Sequence, residues 1–410
     1  MKKVNINSNG CAVLKHETER IAKYFVLNGW ELVPETSEAD IVIMTCCGVT
    51  HNEEDEAIGI ISNLESSRDE KSRFIVGGCL PAFARERILS IVPDAILLRN
   101  EQLQQLDEII SSSIPFSSVR FNDNPLVFTD LVRDPEPDTH ELLMRKIDAM
   151  TGGNDCQDVY DFCTLRKYIW QARDVFQIKV AYGCPGNCSY CATKLGIGDF
   201  RSVDKVSVMA QFTEGHAKGY KNFMLVGDEV GCYGRDFGED LVDLLDSFHA
   251  VDSSARIAIR YIHPDVLVRL YDRLKPYFAS GFINYFCCAI QSSSPRILKL
   301  MNRNPDLEPF IRCMEDINNE GFHVNKHTQI LVGFPTETEA DVLETLYALI
   351  RCRFDHININ KFSPRRGTPA YDMADDVPEE EKVRRCSMFR KWMMLNKKAM
   401  LYDAILKSLS

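Results

Sequence analysis

The sequence lacks two features that direct proteins to a membrane or across one. None of its apolar runs approaches the roughly 20 residues that a membrane-spanning helix requires. Residues 1–10 are mostly polar and lack the long apolar core of a signal peptide. We therefore expect a cytoplasmic protein with no membrane partner.

The sequence has fewer basic than acidic residues, and it has many cysteines. The 410 residues carry 48 Lys and Arg against 59 Asp and Glu, which gives a net charge of −11. This balance weighs against a nucleic-acid partner, although phosphate binding needs only a local basic patch. The chain has 15 cysteines and no export signal. That combination favours metal or cluster ligation over a disulfide framework, with the surplus cysteines buried as small apolar residues.

Three cysteines form the strongest signal, a C-x3-C-x2-C run at Cys184, Cys188 and Cys191. A tetrahedral zinc site normally has four ligands, and no fourth Cys or His lies close by. Three thiolates on one short loop instead suit a [4Fe–4S] cluster with one iron free of protein ligands. That iron can chelate S-adenosylmethionine, and an electron from the cluster can then cleave the sulfonium to a 5′-deoxyadenosyl radical. The spacing resembles the radical-SAM superfamily, and Tyr190 is the aromatic residue that this motif usually has before its third cysteine.

Residues 1–110 alternate between predicted strands and helices, which indicates an α/β fold with an open, doubly wound parallel sheet. Residues 40–44 form a continuous apolar run, as expected of a strand covered on both faces. Each of the first three long strands is followed by cysteine, namely Cys11, Cys46 with Cys47, and Cys79. The carboxyl ends of parallel strands share one edge, where ligands bind. The topology thus brings these cysteines together, as cluster ligands or as buried loop cysteines or a redox pair.

The segments around these cysteines resemble the N-terminal domain of the methylthiotransferases, at residues 9–11, 40–50 and 76–79. The resemblance implies a second [4Fe–4S] cluster on Cys11, Cys47 and Cys79. The family usually has Asn-Thr-Cys followed by x-Val-Thr. Thr45-Cys46-Cys47 stands at that place here, so that Cys46 is an extra thiol. It is a bystander, or an alternative ligand if the register slips by one residue.

Residues 177–378 predict a partial (β/α)6 barrel with ligands at the carboxyl ends of its strands. The predicted strands are 177–182, 223–226, 256–262, 284–290, 328–332 and 356–362. Cys184 directly follows the first of them. We expect residues 111–176 to be a linker or an insertion that acts as a lid or contacts the substrate. Residues 379–410 predict a basic amphipathic helix, packed on the protein or binding the substrate.

Four barrel segments resemble the methylthiotransferases in the family's order, at residues 225–238, 291–303, 330–339 and 362–370. The resemblance covers about residues 1–378. It implies contacts to S-adenosylmethionine from Tyr190, Gly227, Asp228, Gln291, Arg303 and Gly333, with His263 and Glu229 as weaker candidates. A glycine at a strand end lets the backbone approach a ligand, and an arginine pairs with a carboxylate. Taken singly, Asp228 also fits an ordinary turn and Arg303 a helix-end cation.

The resemblance as a whole implies a radical-SAM methylthiotransferase that replaces an unactivated C–H by C–SCH3. It implies two [4Fe–4S] clusters, two molecules of S-adenosylmethionine and an electron donor such as flavodoxin or ferredoxin. One S-adenosylmethionine would methylate sulfur on the N-terminal cluster and the other would yield the radical. Family members typically continue into a small C-terminal β-barrel, and no such strand pattern follows residue 378. We therefore expect a peptide or protein side chain as acceptor, with a tRNA adenosine as the main alternative.

Two other classes of protein remain open from the sequence. The first is a different radical-SAM enzyme whose N-terminal sheet binds cobalamin or has only a structural role. The usual Asp-x-His-x-x-Gly cobalamin signature is absent, and the positions of the cysteines argue against this class. The second is a non-catalytic iron–sulfur carrier or scaffold.

Overall fold

The computed structural model describes residues 1–10, 12–48, 50–119 and 175–409. Cys11 and residues 120–174 of the predicted linker or insertion lie outside the described residues. Within the described part, the chain divides into two compact units. The first unit is built from the residues up to 119 together with 176–255 and 363–372. The second is built from 256–362 and 373–409.

The first unit begins with a five-stranded parallel sheet in the order β2-β1-β3-β4-β5. Its strands are β1 (Lys3–Ser8), β2 (Glu31–Leu32), β3 (Ile41–Cys46), β4 (Arg73–Gly78) and β5 (Ile96–Leu98). Its helices are α1 (Ala12–Leu27), α2 (His51–Ser67), α3 (Arg85–Ile91) and α4 (Leu106–Ile110). The predicted doubly wound sheet is confirmed.

Alternate side chains of β3 supply two hydrophobic cores. Ile41 and Ile43 pack with residues of α1 and α4 on one face. Val42, Met44 and Cys46 pack with residues of α2 and α3 on the other face. Because helices cover both faces, the strand has an uninterrupted apolar sequence rather than an alternating one.

The remainder of the first unit carries short strands and helices on either side of the C-x3-C-x2-C run. They are β6 (Val175–Lys179), β7 (Ala181–Tyr182), α5 (Thr193–Ile197), β8 (Arg201–Ser202), α6 (Lys205–Ala217), β9 (Asn222–Val226) and α7 (Leu241–Val251). The prediction of one strand over 177–182 was wrong. The strand breaks at Val180, whose N–H bonds to the carbonyl of Val226 beside β6, and the next two residues pair antiparallel with β8.

The second unit repeats strand and helix in parallel order β13-β12-β11-β10. Its strands are β10 (Arg256–Ile259), β11 (Ile283–Cys287), β12 (Asn325–Val332) and β13 (His356–Lys361). Its helices are α8 (Pro264–Ala279), α9 (Pro295–Leu300), α10 (Glu308–Asn319), α11 (Glu339–Cys352) and α12 (Glu379–Leu409). With β6 and β9, all six predicted barrel strands are present, and the α/β class is confirmed.

Local capping explains where two of the helices begin. The hydroxyl of Thr50 accepts from the N–H of Glu53, and the Glu53 carboxylate accepts from the N–H of Thr50. Thr338 and Asp341 make the same reciprocal pair at the start of α11. Such pairs satisfy backbone donors that the first helical turn leaves open. In the described part of the chain, no helix has both the length and the hydropathy to span a bilayer.

Candidate iron–sulfur sites

The loop between β7 and α5 carries Cys184, Cys188 and Cys191, all half-buried. Burial is the main cause that raises the pKa of Cys184 to about 12. The negative charges of Glu229, Cys191 and Cys188 raise this pKa further. Burial also raises the pKa of Cys191. The protein alone therefore favours neutral thiols at Cys184 and Cys191, so that a bound cation has to offset the burial of these two thiolates.

Backbone N–H groups point at two of these sulfurs. The N–H of Gly186 donates to Cys184 Sγ at 3.4 Å, and backbone N–H groups of Thr193 and Lys194 donate to Cys191. The ammonium of Lys194 also donates to the carbonyl of Cys184 and ties the two ends of the loop together. Hydrogen bonds to sulfur are a normal part of cluster ligation.

The donor set of this loop fits a [4Fe–4S] cluster. Among the residues that the structure describes, no group of three or more His, Cys, Asp or Glu side chains could hold a metal ion. The thiolates of a cubane cluster each bind a different iron and so stand farther apart than the ligands of one ion. Three thiols on one loop, with backbone N–H groups directed at the sulfurs of Cys184 and Cys191, provide donors of the kind that such a cluster uses.

Gly183 and Asp228 set the direction in which this loop leaves β7. Gly183 has a φ of +66°, and a Cβ there would lie 2.3 Å from the carbonyl oxygen of Asp199. Only glycine fits such a position. Its N–H donates to the Asp228 carboxylate at 3.0 Å. Asp228, predicted to contact the cofactor, thus already orients the residue before Cys184.

Two further cysteines lie at the carboxyl edge of the five-stranded sheet. Cys47 follows β3 and Cys79 follows β4, and both are buried. The N–H of Cys47 donates to the side-chain oxygen of Asn9 at 3.0 Å, and the N–H of Cys79 donates to the carbonyl of Cys46 at 3.1 Å. The ends of three strands are thereby joined. The third predicted ligand, Cys11, lies outside the described residues, and the role of all three as ligands stays a prediction.

Cys46 and Cys47 have different surroundings despite being neighbours in the chain. Cys46 is fully buried in the hydrophobic core on the α2 face, where its Sγ lies 3.7 Å from the carbonyl of Met44. Burial raises its pKa. Cys47 lies one residue beyond the strand, three residues before the Thr50 cap of α2. The choice of Cys47 over Cys46 as the ligand stays a prediction.

The two groups of cysteines are adjacent within the first unit. A Cβ added to Gly196 would lie 2.7 Å from Cys79 Cα and 2.9 Å from Cys79 Cβ. Gly196 is part of α5, which begins two residues after Cys191. The helix that follows the C-x3-C-x2-C loop therefore packs directly on Cys79.

The other predicted cofactor residues of the first unit lie close to this loop. Tyr190 is on the loop and is half-buried. At Gly227, which follows β9, a Cβ would lie 3.2 Å from the carbonyl oxygen of Ala181. This glycine therefore lets the end of β9 approach β7. Glu229 is buried, and its charge raises the pKa of Cys184.

In the second unit, Gln291 and Arg303 both belong to the part of the chain that follows β11. Gln291 has a φ of +66°, an uncommon and strained value for a residue with a side chain. Its N–H donates to the carbonyl of Gln329 and its carbonyl accepts from Leu331, each at 2.8 Å. Arg303 donates to the carbonyl of Ala289 at 2.7 Å. Both predicted cofactor residues therefore lie at the end of β11.

His263 and Gly333 complete the predicted set in the second unit. Burial first, and then the charge of Arg303, lowers the pKa of His263 to about 4. Gly333 has a φ of +73°, and a Cβ there would lie 2.3 Å from Lys382 Cγ. The absence of a side chain at Gly333 thus leaves room for the side chain of Lys382, which packs against it.

Sequence reasoning assigned no role to Arg365, which lies in the segment 363–372 of the first unit. Its guanidinium is buried and contacts the loop that follows Cys47. The only sequence signal was that residues 362–370 resemble a family segment, and this pointed to the segment rather than to one side chain.

Comparison with known proteins identifies two families in the chain. Residues 178–349 match the radical SAM superfamily, and residues 3–98 match a family described as "Uncharacterized protein family UPF0004". The first match covers the C-x3-C-x2-C loop, and the second covers Cys11, Cys47 and Cys79.

Two relatives are similar over nearly the whole chain. A tRNA-2-methylthio-N(6)-dimethylallyladenosine synthase of Petrotoga mobilis is 29% identical over 93% of this chain and 81% of its own length. The threonylcarbamoyladenosine tRNA methylthiotransferase MtaB of Thermotoga maritima is 28% identical over 95% of this chain and 82% of its own length.

Among solved structures, the radical S-adenosylmethionine methyltransferase TsrM of Kitasatospora setae matches with a TM-score of 0.58. It is 14% identical over 90% of this chain and 77% of its own. At that identity the likeness shows the fold alone. The superfamily match over the cysteine loop indicates a radical-SAM enzyme. Together with the N-terminal match and the relatives, it supports a member of the radical-SAM methylthiotransferase family.

Proposed function

We propose that this enzyme methylthiolates an adenosine of tRNA, using two [4Fe–4S] clusters. The observation that supports the two-cluster chemistry is the contact of Cys79 with Gly196, in the helix that follows the C-x3-C-x2-C loop. Family membership supports S-adenosylmethionine and the cluster at Cys184, Cys188 and Cys191. The second cluster, at Cys11, Cys47 and Cys79, is part of the proposal.

The acceptor proposed here differs from the one favoured by the sequence. The sequence favoured a peptide or protein side chain, with tRNA as the alternative. Relatives that align with more than nine-tenths of the chain are named for tRNA adenosines, which supports the alternative. The net charge of −11 calls for a local basic surface on such an enzyme.

Individual residues of each unit have distinct tasks in this proposal. When bound, the clusters and S-adenosylmethionine supply the radical chemistry and the methylthio group. Asp228 holds the backbone of Gly183 and so orients Cys184. Lys194 closes the cysteine loop through the carbonyl of Cys184. Arg303 presents a cation beside the strained Gln291 turn, where it can bind a carboxylate.

Mass spectrometry of the products tests this function. The full chain is reconstituted with iron and sulfide, then incubated with S-adenosylmethionine, a reductant and either unmodified tRNA or candidate peptides. We expect an adenosine heavier by one methylthio group in place of a hydrogen. A product on a peptide alone would overturn the proposed acceptor. Methylthiolation that persists after Cys11, Cys47 and Cys79 are all changed to Ala would overturn the two-cluster chemistry.

A further inference from the structure

Arg365 is a buried cation with partners on two separate loops of the first unit. Its side chain is only 3% exposed. The guanidinium donates to the carbonyl of Gly48 at 2.6 Å and pairs with the carboxylate of Glu54. One of its nitrogens lies 3.2 Å from His51 Nδ1. Its carbon lies 4.8 Å from the ring centre of Phe83.

These partners belong to the segments that follow two of the predicted ligands. Gly48 is the residue after Cys47, and Glu54 lies in the first turns of α2. Phe83 lies four residues after Cys79, just before α3. A single guanidinium therefore holds the loop after Cys47 against the segment after Cys79.

The same segment is also bound to the C-x3-C-x2-C loop. The N–H of Ala370 donates to the carbonyl of Ser189 at 2.8 Å, and Ser189 lies between Cys188 and Cys191. Between these two ends, a Cβ on Gly367 would lie 3.2 Å from the side chain of Leu195 in α5. Residues 365–370 thus contact residues that neighbour both groups of cysteines, and we name them the connecting segment.

Arg365 joins these segments through the planar shape of its guanidinium as well as through its charge. A guanidinium presents several N–H donors in a rigid plane, so that it can bind a carbonyl and a carboxylate while its face lies on an aromatic ring. A lysine ammonium keeps the charge and loses the planar fork. Burial adds to the effect, because the Glu54 carboxylate is buried as well and also pairs with Arg87.

We propose that Arg365 is a positioning residue of the second cluster site. It fixes the loops after Cys47 and Cys79 so that both thiols reach one iron–sulfur group. Through the connecting segment, it also fixes that group relative to the loop of Cys184, Cys188 and Cys191. This inference rests on the proposed function, because that function requires a cluster at the strand-end cysteines.

The neighbouring residue provides a matched control. Arg366 also pairs with a carboxylate, that of Glu86, at 3.1 Å. Both of these side chains are exposed, 69% and 85% respectively. Arg366→Met therefore removes one arginine and one ion pair from the same segment without disturbing a buried contact. Arg365→Met removes the buried cation, and Arg365→Lys keeps the charge without the fork.

The first measurement follows thiol alkylation in the iron-free full-length chain by mass spectrometry. We expect Arg365→Met to speed the alkylation of Cys47 and Cys79 about tenfold, because their loops open more often. Arg365→Lys should lie between this variant and the unchanged chain, and Arg366→Met should match the unchanged chain. Cys352, buried in α11 of the second unit, should react at the same rate in all of them. Faster alkylation of Cys352 would indicate general unfolding and would overturn the local role.

The second measurement examines the cluster in a chain whose Cys184, Cys188 and Cys191 are changed to Ala. We expect Arg365→Met to lower the iron and sulfide content severalfold, and Arg365→Lys to keep a cluster with an altered electron paramagnetic resonance spectrum. Spectra and iron content that are the same in the Arg365 and Arg366 variants would overturn the proposal. If the chain with Arg365 intact binds no iron, the second cluster of the proposed function fails, and the alkylation rates still decide the role of Arg365.

Discussion

Gly196 and Cys79 are in direct contact through their main chains. A Cβ at position 196 would lie 2.7 Å from Cys79 Cα and 3.1 Å from its carbonyl oxygen. The first residue belongs to the helix after the C-x3-C-x2-C loop, and the second directly follows β4 of the N-terminal sheet. This contact places a predicted ligand of one cluster beside the helix that follows the predicted ligands of the other.

Gly196→Ala should therefore separate α5 from Cys79. The added methyl group meets backbone atoms, which cannot rotate away as a side chain can. We expect the free energy of unfolding to fall by about 1–3 kcal/mol, the usual cost of overpacking, with a loss of iron from the reconstituted chain. Denaturant unfolding and iron analysis measure the two effects.

Gly59→Ala is the control for this change. Gly59 lies within α2, and a Cβ there meets nothing within 4 Å. Alanine favours a helix over glycine, so that this variant should gain roughly 0.5–1 kcal/mol. Equal stability of the Gly196→Ala chain and the unchanged chain would contradict the close contact.

Much of the fold follows from sequence patterns because those patterns are local. The apolar run of β3 lies within a few residues, and it forms the expected strand. The single strand predicted over 177–182 was wrong for a non-local reason. Val180 bonds to Val226, and the residues after it turn to pair with β8.

The site was less predictable, because its important contacts join distant parts of the chain. The order of strands brings Cys47 and Cys79 to one sheet edge, and the topology alone predicted this. No pattern shows that Arg365 is buried against Gly48, since an arginine in a loop is usually exposed. The Lys382 side chain against Gly333 was equally invisible in the sequence.

Cys46→Ala and Cys47→Ala should differ in their effects. Cys46 packs in the core, so that its loss should lower the free energy of unfolding by about 1 kcal/mol and leave the iron content unchanged. Cys47→Ala should lower the iron content at little cost in stability. Iron analysis in a chain that retains only the N-terminal site measures this. Loss of iron with Cys46→Ala alone would mean that the register slips and Cys46 is the ligand.

Removing either predicted cluster site should lower the iron content of the reconstituted chain by a predictable fraction. The triple change of Cys184, Cys188 and Cys191 to Ala should leave about half of the iron, and so should the triple change of Cys11, Cys47 and Cys79. Only the second variant should still cleave S-adenosylmethionine to 5′-deoxyadenosine. Full iron content in the second variant would favour an enzyme with a single cluster.

The stability of the second unit should decline at low pH because of His327. Burial lowers the pKa of His327 to about 4, and its Nδ1 lies 2.7 Å from the hydroxyl of buried Tyr285. Between pH 6.5 and 4 the unfolded chain binds a proton at this histidine and the folded chain does not. Unfolding is therefore favoured as the pH falls, by about 2 kcal/mol between pH 7.5 and 5.

His327→Gln is the variant that tests this origin. It should be less stable than the unchanged chain at pH 7.5, since it disturbs the bond to Tyr285, and should lose less stability on acidification. His263, whose pKa is also lowered to about 4, should keep part of the pH dependence. Denaturant unfolding at both pH values measures the change. An unaltered pH dependence in His327→Gln would exclude this histidine as the cause.

Gln291→Gly should have opposite effects on stability and on cofactor binding. The φ of +66° at Gln291 suits glycine, so that the substitution should raise the free energy of unfolding by up to about 1 kcal/mol. It also removes the amide that the family resemblance assigns to S-adenosylmethionine, and we expect weaker binding of this cofactor. Arg353→Gly is the control, because Arg353 has a φ of +49° at the end of α11. It should gain stability with no change in cofactor binding. Calorimetric titration with S-adenosylmethionine compares the two variants, and equal affinities would mean that the Gln291 side chain does not contact the cofactor.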